Sequence, residues 1–222
     1  MKILVACEES QAVTVALRKR GHEAYSCDII PCSGGHPEWH IQGDVIPLLK
    51  QQWDMIIAFP PCTYLTRAGS CNIPRDPSRI AKGFAAAEFF MAIWNADCPR
   101  IAIENPIPMK RFRLPPYTQI IHPYEYGYQA IKPTCLWLKG LPLLKPVNAI
   151  QRGQVERTYR TRKDGSIHIG TVWFEKQNCS KSRSKTFPGI AEAMAEQWTS
   201  CESTWTMQQT MHFMGVKEVA YR

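Results

Sequence analysis

Apolar runs typical of β-strands alternate with helical patterns over the first half of the chain. The strand-like runs occupy residues 2–6, 23–27, 53–59 and 100–104. Between them, Val13, Ala16 and Leu17 share one face of a predicted helix, and a longer helix is predicted over residues 78–94. Strands that alternate with helices imply right-handed crossovers and a mostly parallel sheet, whose ligands bind at the carboxyl ends of the strands. We therefore predict an α/β fold.

The second half of the chain has a different pattern. Residues 107–150 are rich in proline and show no sustained helical period, so we predict irregular, extended chain there. The pair Asp164-Gly165 is a short-range signal for a tight hairpin, with strands at residues 155–162 and 166–174. A last helix is predicted over residues 190–198.

The composition is that of a folded protein of ordinary domain size. The 222 residues are 45% hydrophobic, which is enough to bury a core. No run approaches the roughly 18 consecutive apolar residues of a membrane span, and the first residues lack the apolar region and cleavage site of a signal peptide. The 9 cysteines are an odd number scattered along the chain, which suits a reducing compartment. These features predict a cytoplasmic protein without membrane contact.

The positive charge is concentrated in one segment. Residues 1–106 contain 10 Lys and Arg against 11 Asp and Glu, whereas residues 107–185 contain 15 against 4, a net charge of +11. A near-neutral front half followed by a strongly basic stretch predicts a catalytic or ligand-binding body with a polyanion-binding insertion.

Polar residues follow the predicted strands and should lie along one edge of the sheet, at positions 7–10, 28, 60–63 and 104–106. A carboxylate that closes the second strand of such a sheet, here Asp28, is placed to accept the hydroxyls of a ribose. Asp44 could accept a hydrogen bond from an adenine amino group. Each of these acids can equally be a solvated turn residue or a helix N-cap.

Cys62 is the candidate nucleophile. It follows two prolines at a strand end, so it should lie in a stiff loop, exposed to substrate, with its thiol pKa lowered by a following helix N-terminus. The alternative is an inert, half-buried thiol, one among 9. The combination with Glu104, at the end of another strand, favours the catalytic interpretation.

An ordered set of motifs resembles those of the DNA cytosine-5 methyltransferases, above all the compact, phage-like members. Phe59-Pro-Pro-Cys62 is similar to the family's nucleophile loop, Ile103-Glu-Asn105 to its Glu-Asn motif, and Gly43-Asp44 to its adenine-contacting turn. Residues 186–196 resemble the C-terminal motif whose helix rejoins the cofactor domain. Residues 158–162 resemble the family's Gln-x-Arg-x-Arg, with Thr in place of Gln.

The resemblance implies a Rossmann-like, S-adenosylmethionine-dependent methyltransferase fold with a mostly parallel sheet and a small basic β-rich insertion. It places the cofactor-binding catalytic domain at residues 1–106 and 186–200, the basic target-recognition segment at 107–185 and a tail at 201–222. The implied reaction transfers a methyl group from S-adenosylmethionine to C5 of cytosine in double-stranded DNA. A monomer would act on this substrate and flip the base out of the duplex.

The resemblance also assigns roles to individual residues. Cys62 would attack C6 of the base, Glu104 would hydrogen-bond N3 and the exocyclic amine, and Asn105 would fix the loop geometry. Arg160 and Arg162 would position Glu104 or the base, although a solvated hairpin face explains them as well. The implied cofactor-binding residues cluster around the predicted strand ends: Ala6, Cys7, Glu8, Ser10, Gln11, Asp28, Ile29, Asp44, Val45, Phe59 and Pro61.

The chain departs from the family pattern at the loop after the first strand. Residues 6–11 lack the family's glycines, so their side chains would crowd the methionine end of the cofactor, and Glu8 and Glu9 could instead hold its amino group. Pro106 follows the Glu-Asn pair in place of a branched apolar residue, and Thr63 stands where a Gln is common.

Three other interpretations are open on the sequence. Cys27, Cys32, His36 and His40 could ligate zinc, although their spacing matches no common zinc finger. The chain could be a nucleic-acid-binding module that keeps the fold without transferring methyl groups, which the altered loop favours. It could also modify free pyrimidine nucleotides, since a short chain would suffice for a small substrate.

Overall fold

The computed structural model describes residues 1–162, 164–172 and 185–200. Within them, the strands are β1 Lys2–Ala6, β2 Glu23–Asp28, β3 His40–Gln42, β4 Met55–Ala58, β5 Ile101–Pro106, β6 Gln119–Ile121, β7 Thr134–Lys139, β8 Arg157–Thr161 and β9 Ile167–Thr171. The α-helices of these residues are α1 Ala12–Lys19, α2 Arg79–Trp94 and α3 Pro188–Thr199. None of them has the length and apolar character that a membrane span requires.

Seven strands form one sheet in the order β3-β2-β1-β4-β5-β7-β6. The first five of this order pair in parallel, and β7 pairs antiparallel with both β5 and β6. This arrangement confirms the predicted α/β, Rossmann-like fold with a mostly parallel sheet. The chain goes from β1 to β2 on one side and returns to β4 on the other, so the carboxyl ends of β1 and β4 form the topological switch point where such sheets bind ligands.

The central strands are continuous apolar runs because the sheet is buried on both faces. Successive residues of a strand point to opposite faces. Ile3 and Ile57 pack in the core that includes α1 and α3, whereas Leu4 and Ile56 pack in the core that includes α2. Helix α3, with its fully buried Trp198, therefore returns to the face of the sheet that α1 covers.

Residues 107–150 are largely irregular, as predicted, but they include two strands, β6 and β7, that the sequence did not predict. Strand β7 lies inside the main sheet, and its residues Cys135, Leu136 and Trp137 are fully buried. Residues 119–139 therefore help to complete the sheet of the main body, and the division of the chain after residue 106 stays a prediction. The prolines of this stretch flank the strands, where they interrupt no hydrogen-bond ladder.

Strands β8 and β9 form a separate two-stranded sheet, which is the hairpin predicted at Asp164-Gly165. Gly165 has a φ angle of +80°, and Asp164 Oδ1 accepts a hydrogen bond from the backbone N–H of Ser166 at 3.0 Å. The predicted tail at 201–222 lies outside the described residues, as do residue 163 and residues 173–184.

Candidate active site

A cavity of about 300 Å³ opens at the carboxyl ends of β1, β2, β4 and β5, at the switch point of the sheet. Half of the predicted site residues line it: Cys7, Glu8, Ser10, Asp28, Phe59, Pro61, Cys62 and Glu104. Four residues that the sequence placed at this edge without assigning them firmly also line the cavity: Glu9, Pro60, Thr63 and Pro106. Residues that the sequence did not place there complete the lining: Ile30, Lys132, Lys185 and Thr186. The predicted nucleophile and several predicted cofactor residues thus share one cavity.

Asn105 ties the loop before Cys62 to strand β5. Its side chain is fully buried, and its Nδ2 donates a hydrogen bond to the carbonyl oxygen of Pro60 at 2.9 Å. The backbone then turns, because the N–H groups of Leu65 and Thr66 both donate to the carbonyl oxygen of Cys62 at 3.0 Å. These bonds fix the position of Cys62 relative to β5.

Arg79, at the start of α2, holds the other side of this loop. Its Nη2 donates to the carbonyl oxygen of Thr63 at 2.8 Å, and its guanidinium group lies over the ring of Tyr64, 4.8 Å from the ring centre. Sequence reasoning missed Arg79, because the contact depends on the turn after Cys62, which no motif in the sequence specifies.

The Cys62 thiol is half-buried, and its surroundings favour the protonated form. Burial raises the pKa of Cys62 above its ordinary value, the charge of Glu104 raises this pKa further, and Lys132 opposes both effects. The prediction that a following helix N-terminus lowers the pKa of Cys62 is therefore wrong. The residues after Cys62 form a turn, and the next helical turn begins only at Arg67, so the helix dipole that the prediction invoked does not start at this thiol.

Glu104 lies half-buried in β5, next to strand β7. Burial raises the pKa of its carboxyl group, whereas the charge of Lys132 and a hydrogen bond with the Thr134 side chain lower this pKa. Thr134 is opposite Pro106 in the antiparallel register, so its side chain lies on the same face of the sheet as Glu104. A raised pKa increases the protonated fraction of Glu104, and only the protonated carboxyl group can donate a hydrogen bond.

Sequence reasoning also missed Lys132, Thr134 and Lys185. Lys132 and Lys185 line the cavity with Glu104, and Thr134 joins them in a small extension of it. Lys132 and Thr134 lie just before and at the start of β7, in a stretch that the sequence predicted as irregular chain. Because this strand was not predicted, basic site residues were assigned from the sequence only to the hairpin. The short apolar run after Pro133 was the signal that could have located this strand.

Arg160 and Arg162 lie in and directly after β8 of the hairpin. Both residues are exposed, and neither is among the described residues that line the cavity. The cationic side chains that share the cavity with Glu104 are Lys132 and Lys185. The predicted role of the two arginines in positioning Glu104 or the base stays a prediction.

Glu8 begins the loop after β1 and faces the protein interior. Its carboxylate accepts hydrogen bonds from the backbone N–H of Val13 at 2.6 Å, and from the N–H and hydroxyl of Thr14 at 3.2 and 2.7 Å. These are the first N–H groups of α1, which have no partner within the helix. Burial raises the pKa of Glu8 to about 7, against the effect of these hydrogen bonds. In this structure the Glu8 carboxylate caps α1, and its predicted contact with the amino group of a cofactor stays a prediction.

The backbone of the same loop takes a conformation that usually requires glycine. Cys7 and Gln11 have φ angles of 58° and 57°, in the left-handed region. Gln11 is fully buried, its Nε2 donates to the carbonyl oxygen of His36 at 2.8 Å, and its Oε1 accepts from the N–H of His36 at 3.1 Å. Gln11 therefore fastens a neighbouring loop, which corrects its predicted role in cofactor binding.

Two carboxylates lie at strand ends around Cys7. Burial raises the pKa of Cys7 to about 12, with further contributions from the charges of Asp28 and Asp44. Both carboxylates also accept turn hydrogen bonds, Asp28 from the N–H of Ile30 at 3.2 Å and Asp44 from the N–H of Ile46 at 3.0 Å. The two acids are thus turn residues that also bring negative charge to one end of the cavity.

Exposed aliphatic side chains stand next to Asp28. Ile29 is 75% exposed and Ile30 is 42% exposed, whereas Ala6 and Val45 are buried in the core and can offer a ligand only backbone atoms. Carboxylates beside apolar side chains suit the hydroxyl groups and the flat base of a nucleoside. The residues present therefore fit the adenosine half of S-adenosylmethionine.

The side chains of the alternative zinc site have other partners. Cys27 Sγ donates to the carbonyl oxygen of Gly43 at 3.5 Å, and His40 Nδ1 lies 2.8 Å from the Ser26 hydroxyl. His36 stacks on Trp39 at a ring distance of 3.9 Å. In the part of the chain that the structure describes, no three metal-ligating side chains converge, so the zinc interpretation gains no support.

Comparisons with solved structures include three proteins of similar fold. A prophage Cp protein of E. coli, named as a DNA modification methyltransferase, is 13% identical with a TM-score of 0.40, over 74% of this chain and 61% of that one. The Dnmt2 methyltransferase of S. pombe is 15% identical with a TM-score of 0.40, over 70% and 57%. An rRNA methylase of Escherichia coli is 15% identical with a TM-score of 0.34, over 62% and 56%.

The chain thus spans 56% to 61% of the length of these three proteins. No protein-family model matches the sequence, and no curated protein sequence matches it. The fold, a mostly parallel seven-stranded sheet with helices on both faces, is the Rossmann-like α/β fold expected from the sequence.

Proposed function

We propose that the chain transfers a methyl group from S-adenosylmethionine to C5 of cytosine in DNA, through a covalent adduct with Cys62. The observation that carries the proposal is one cavity that contains the half-buried thiol of Cys62, the half-buried carboxyl group of Glu104 and the strand-end carboxylate Asp28. C5 of cytosine is a weak nucleophile until a thiolate adds to C6. The charge that this addition creates needs an adjacent hydrogen-bonding acid, which Glu104 provides.

In the proposed reaction, the Cys62 thiol loses its proton to solvent, its sulfur bonds to C6, and the electron pair of the ring double bond moves to C5. Glu104 hydrogen-bonds N3 and the exocyclic amine, which stabilises the charge that develops on the ring. S-adenosylmethionine, when bound, supplies an electrophilic methyl group carried on a positively charged sulfur. After C5 has gained this methyl group and lost its proton to a base, the bond between Cys62 and C6 breaks, and the ring double bond is restored.

The positive charge of Lys132 stabilises the negatively charged forms of Cys62 and Glu104. It lowers the pKa of both Cys62 and Glu104, so it reduces the free-energy cost of the thiolate that must add to C6. Protonation of Glu104 has the same effect, because the negative charge of Glu104 is one of the causes that raise the pKa of Cys62. We therefore assign Lys132 as a positioning residue that acts through Glu104 and Cys62.

The proposed cofactor site lies around the ends of β1 and β2. Residues 7–10 and Phe59 would line it, Asp28 would accept the ribose hydroxyls, and Asp44 and Ile29 would lie at the adenine end. Because the Glu8 carboxylate is bound to α1, the amino-acid part of the cofactor would meet backbone atoms of the loop and not that side chain.

The charge of residues 107–185, +11 in total, supports DNA as the substrate. A cytosine in a duplex is stacked, so double-stranded DNA would have to present its base flipped out to reach Cys62. The hairpin arginines, including Arg160 and Arg162, are our proposed phosphate contacts. A monomer suffices in this proposal, because one chain contributes all the assigned groups.

A DNA containing 5-fluorocytosine tests the mechanism. Fluorine at C5 cannot leave as a proton does, so the protein should stay bonded to C6 in an adduct that survives denaturation. Cys62→Ser should abolish trapping and keep cofactor binding, measured by calorimetry, and Cys71→Ser at an exposed thiol is the matched control. Trapping on another cysteine would overturn the assignment, and undiminished methyl transfer by Cys62→Ser would overturn the mechanism.

S-adenosylmethionine with a labelled methyl group tests the substrate class. Incubation with duplex DNA, single-stranded DNA, RNA and dCMP, followed by nucleoside analysis, should place the label in 5-methylcytosine of duplex DNA. Label found only in the nucleotide would favour the enzyme of free pyrimidines.

A second candidate function is nucleic-acid binding without methyl transfer. The observation that favours it is the loop after β1, where the side chains of Glu8 and Gln11 serve the fold. Retained DNA binding without cofactor binding, at cofactor concentrations on the order of millimolar, would select this candidate.

A further inference from the structure

A second cavity lies on the far side of the Cys62 loop. It has a volume of about 620 Å³ and is formed by the residues after that loop and the residues after β5. Backbone hydrogen bonds join the two segments, from the N–H of Arg67 to the carbonyl of Ile107 at 2.9 Å and from the N–H of Met109 to the carbonyl of Leu65 at 2.8 Å. The second cavity therefore rests on the segments that also frame Cys62.

The second cavity combines an apolar wall with a cationic rim. The wall contains half-buried apolar side chains: Ile73, Ile107 and Met109. The rim contains exposed basic side chains: Arg67, Lys110 and Arg111. No acidic residue is among its described lining residues. This combination matches a flat, weakly polar group joined to anionic groups, which is the chemistry of a nucleotide in a polynucleotide strand.

The two cavities share a thin wall. Pro106 lines the first cavity and the next residue, Ile107, lines the second, although consecutive Cα atoms are only about 3.8 Å apart. The bridge between Thr66 and Pro108 runs along this wall. The two cavities therefore lie on either side of the same short segment, close enough for neighbouring nucleotides of one strand to occupy them in the arrangement proposed below.

We propose that the second cavity binds the nucleotide next to the target cytosine in the DNA strand. Its base would lie against Ile73 and Met109, and its phosphates would contact Arg67, Lys110 and Arg111. That the ligand is the strand which carries the target cytosine rests on the proposed function. The apolar wall and the cationic rim of the second cavity are observed independently of it. Contacts of the wall and of the rim can be measured separately, because only the phosphate contacts of the rim make the affinity for DNA depend on salt concentration.

Anisotropy titrations of a fluorescent DNA duplex at several salt concentrations test the rim. Arg67→Ala and Lys110→Ala should each weaken binding, and each should reduce the slope of log affinity against log salt by about 0.9, the value for one lost phosphate contact. Lys50→Ala, at an exposed lysine in the turn Leu48–Lys50 between β3 and β4, is the charge-matched control and should leave the slope unchanged. Unchanged slopes in both rim variants, at unchanged melting temperature, would overturn the proposal.

Abasic substitutions test the apolar wall. DNA without the base on the 5′ side or on the 3′ side of the cytosine is compared with intact DNA, and one of the two should bind the wild-type protein roughly tenfold more weakly. Ile73→Ala should weaken binding of intact DNA at unchanged salt slope and should be insensitive to the abasic site, because both changes remove the same contact. Additive losses would overturn the placement of the base. Ile73 belongs to none of the described core clusters, so its truncation should leave the melting temperature unchanged.

These measurements separate the second cavity from the proposed function. If the wild-type protein forms the 5-fluorocytosine adduct while the rim variants bind DNA normally, the second-cavity proposal fails alone. If no adduct forms while the rim variants lose phosphate contacts, the second cavity stands as a DNA-binding site and methyl transfer fails. Tighter binding of an RNA of the same sequence, with the same losses in the variants, would overturn DNA as the ligand.

Discussion

Two loops at the same end of the sheet, residues 7–11 after β1 and residues 60–63 after β4, use their side chains in opposite ways. After β1, the carboxylate of Glu8 turns into the protein and binds the first N–H groups of α1. After β4, the loop backbone is held from outside, by Asn105 among others, and Cys62 faces the cavity. The first loop is held by its own side chains, and the second by side chains from other elements.

The difference determines which groups a ligand can meet. A side chain that satisfies buried N–H groups cannot turn away from them without a cost of about 1–3 kcal/mol for each group left unsatisfied. In the loop after β1, Glu8 and Gln11 are therefore not available to a ligand, whereas the loop after β4 offers a thiol. Substitutions in the first loop should change stability, and substitutions around the second should change activity.

Glu104→Gln should have the largest effect, on the activity side of the comparison. The amide lacks a proton that it can give to N3 and cannot carry the charge of a carboxylate, so single-turnover methyl transfer should slow by roughly 100- to 1000-fold. Glu88→Gln, at an exposed position of α2, is the matched control and should be unaffected. A rate near that of the wild type would show that Glu104 does not assist Cys62.

On the stability side, Glu8 should make the free energy of unfolding depend on pH. Its pKa is raised from 4.5 to about 7, chiefly by burial, so over this range the folded protein retains a proton that the unfolded chain releases. The contribution of Glu8 to stability is therefore complete below about pH 4.5 and is lost as pH rises to about 7, a change of up to roughly 3 kcal/mol.

Urea unfolding at several pH values checks this expectation. Glu8→Gln should remove this part of the pH dependence, and Glu88→Gln, at its exposed position in α2, should keep it. The same slope in wild type and Glu8→Gln would contradict a buried, proton-retaining Glu8.

Arg79→Ala should have an intermediate effect, since it removes the outside support of the second loop. Without the hydrogen bond to Thr63 and the contact with Tyr64, Cys62 should sample more positions, and kcat should fall roughly tenfold with little change in KM. Lys82→Ala is the control, because Lys82 also lies over Tyr64, at 5.6 Å, but donates no hydrogen bond to Thr63 in the structure. Equal losses in the two variants would assign the effect to charge and not to positioning.

The smallest effect concerns the reactivity of the free thiol. The charge of Glu104 raises the pKa of Cys62, so Glu104→Gln should speed alkylation of Cys62 by iodoacetamide at pH 8, although it slows methyl transfer. Mass spectrometry of the labelled peptides measures this rate, with the exposed Cys71 as internal reference. An unchanged rate would place Glu104 too far from the sulfur to act on it, and a slower rate would contradict the direction of its effect on the pKa of Cys62.

The parallel part of the sheet was predictable, because strands buried on both faces are continuous apolar runs. Strand β1 has the predicted bounds, and α2 begins one residue later than predicted. Strands β3 and β6 have three residues each, too few for any periodicity to appear. Strand β7 was missed because the prolines around it favour irregular chain when the sheet is not known.

Part of the candidate site followed from the same logic. Cys62, Glu104 and Asp28 meet because the carboxyl ends of parallel strands share one edge. Lys132 could not be placed, since an antiparallel strand outside every motif brings it there. Cys7, which precedes Glu8, has a left-handed backbone although it is not a glycine, so the sequence did not signal this turn of the loop.

The position of strand β7 in the sheet also affects how the nascent chain folds while it is being synthesised. It follows β6 in the chain but lies between β5 and β6 in the sheet, so β5 remains an edge strand until β7 has left the ribosome. A nascent chain that ends before residue 134 carries β5 with one unpaired side, along the apolar residues Ile101 and Ile103. Open apolar edges of this kind promote association between chains. During translation, the strand that carries Glu104 therefore stays open to association with other chains until β7 pairs with it.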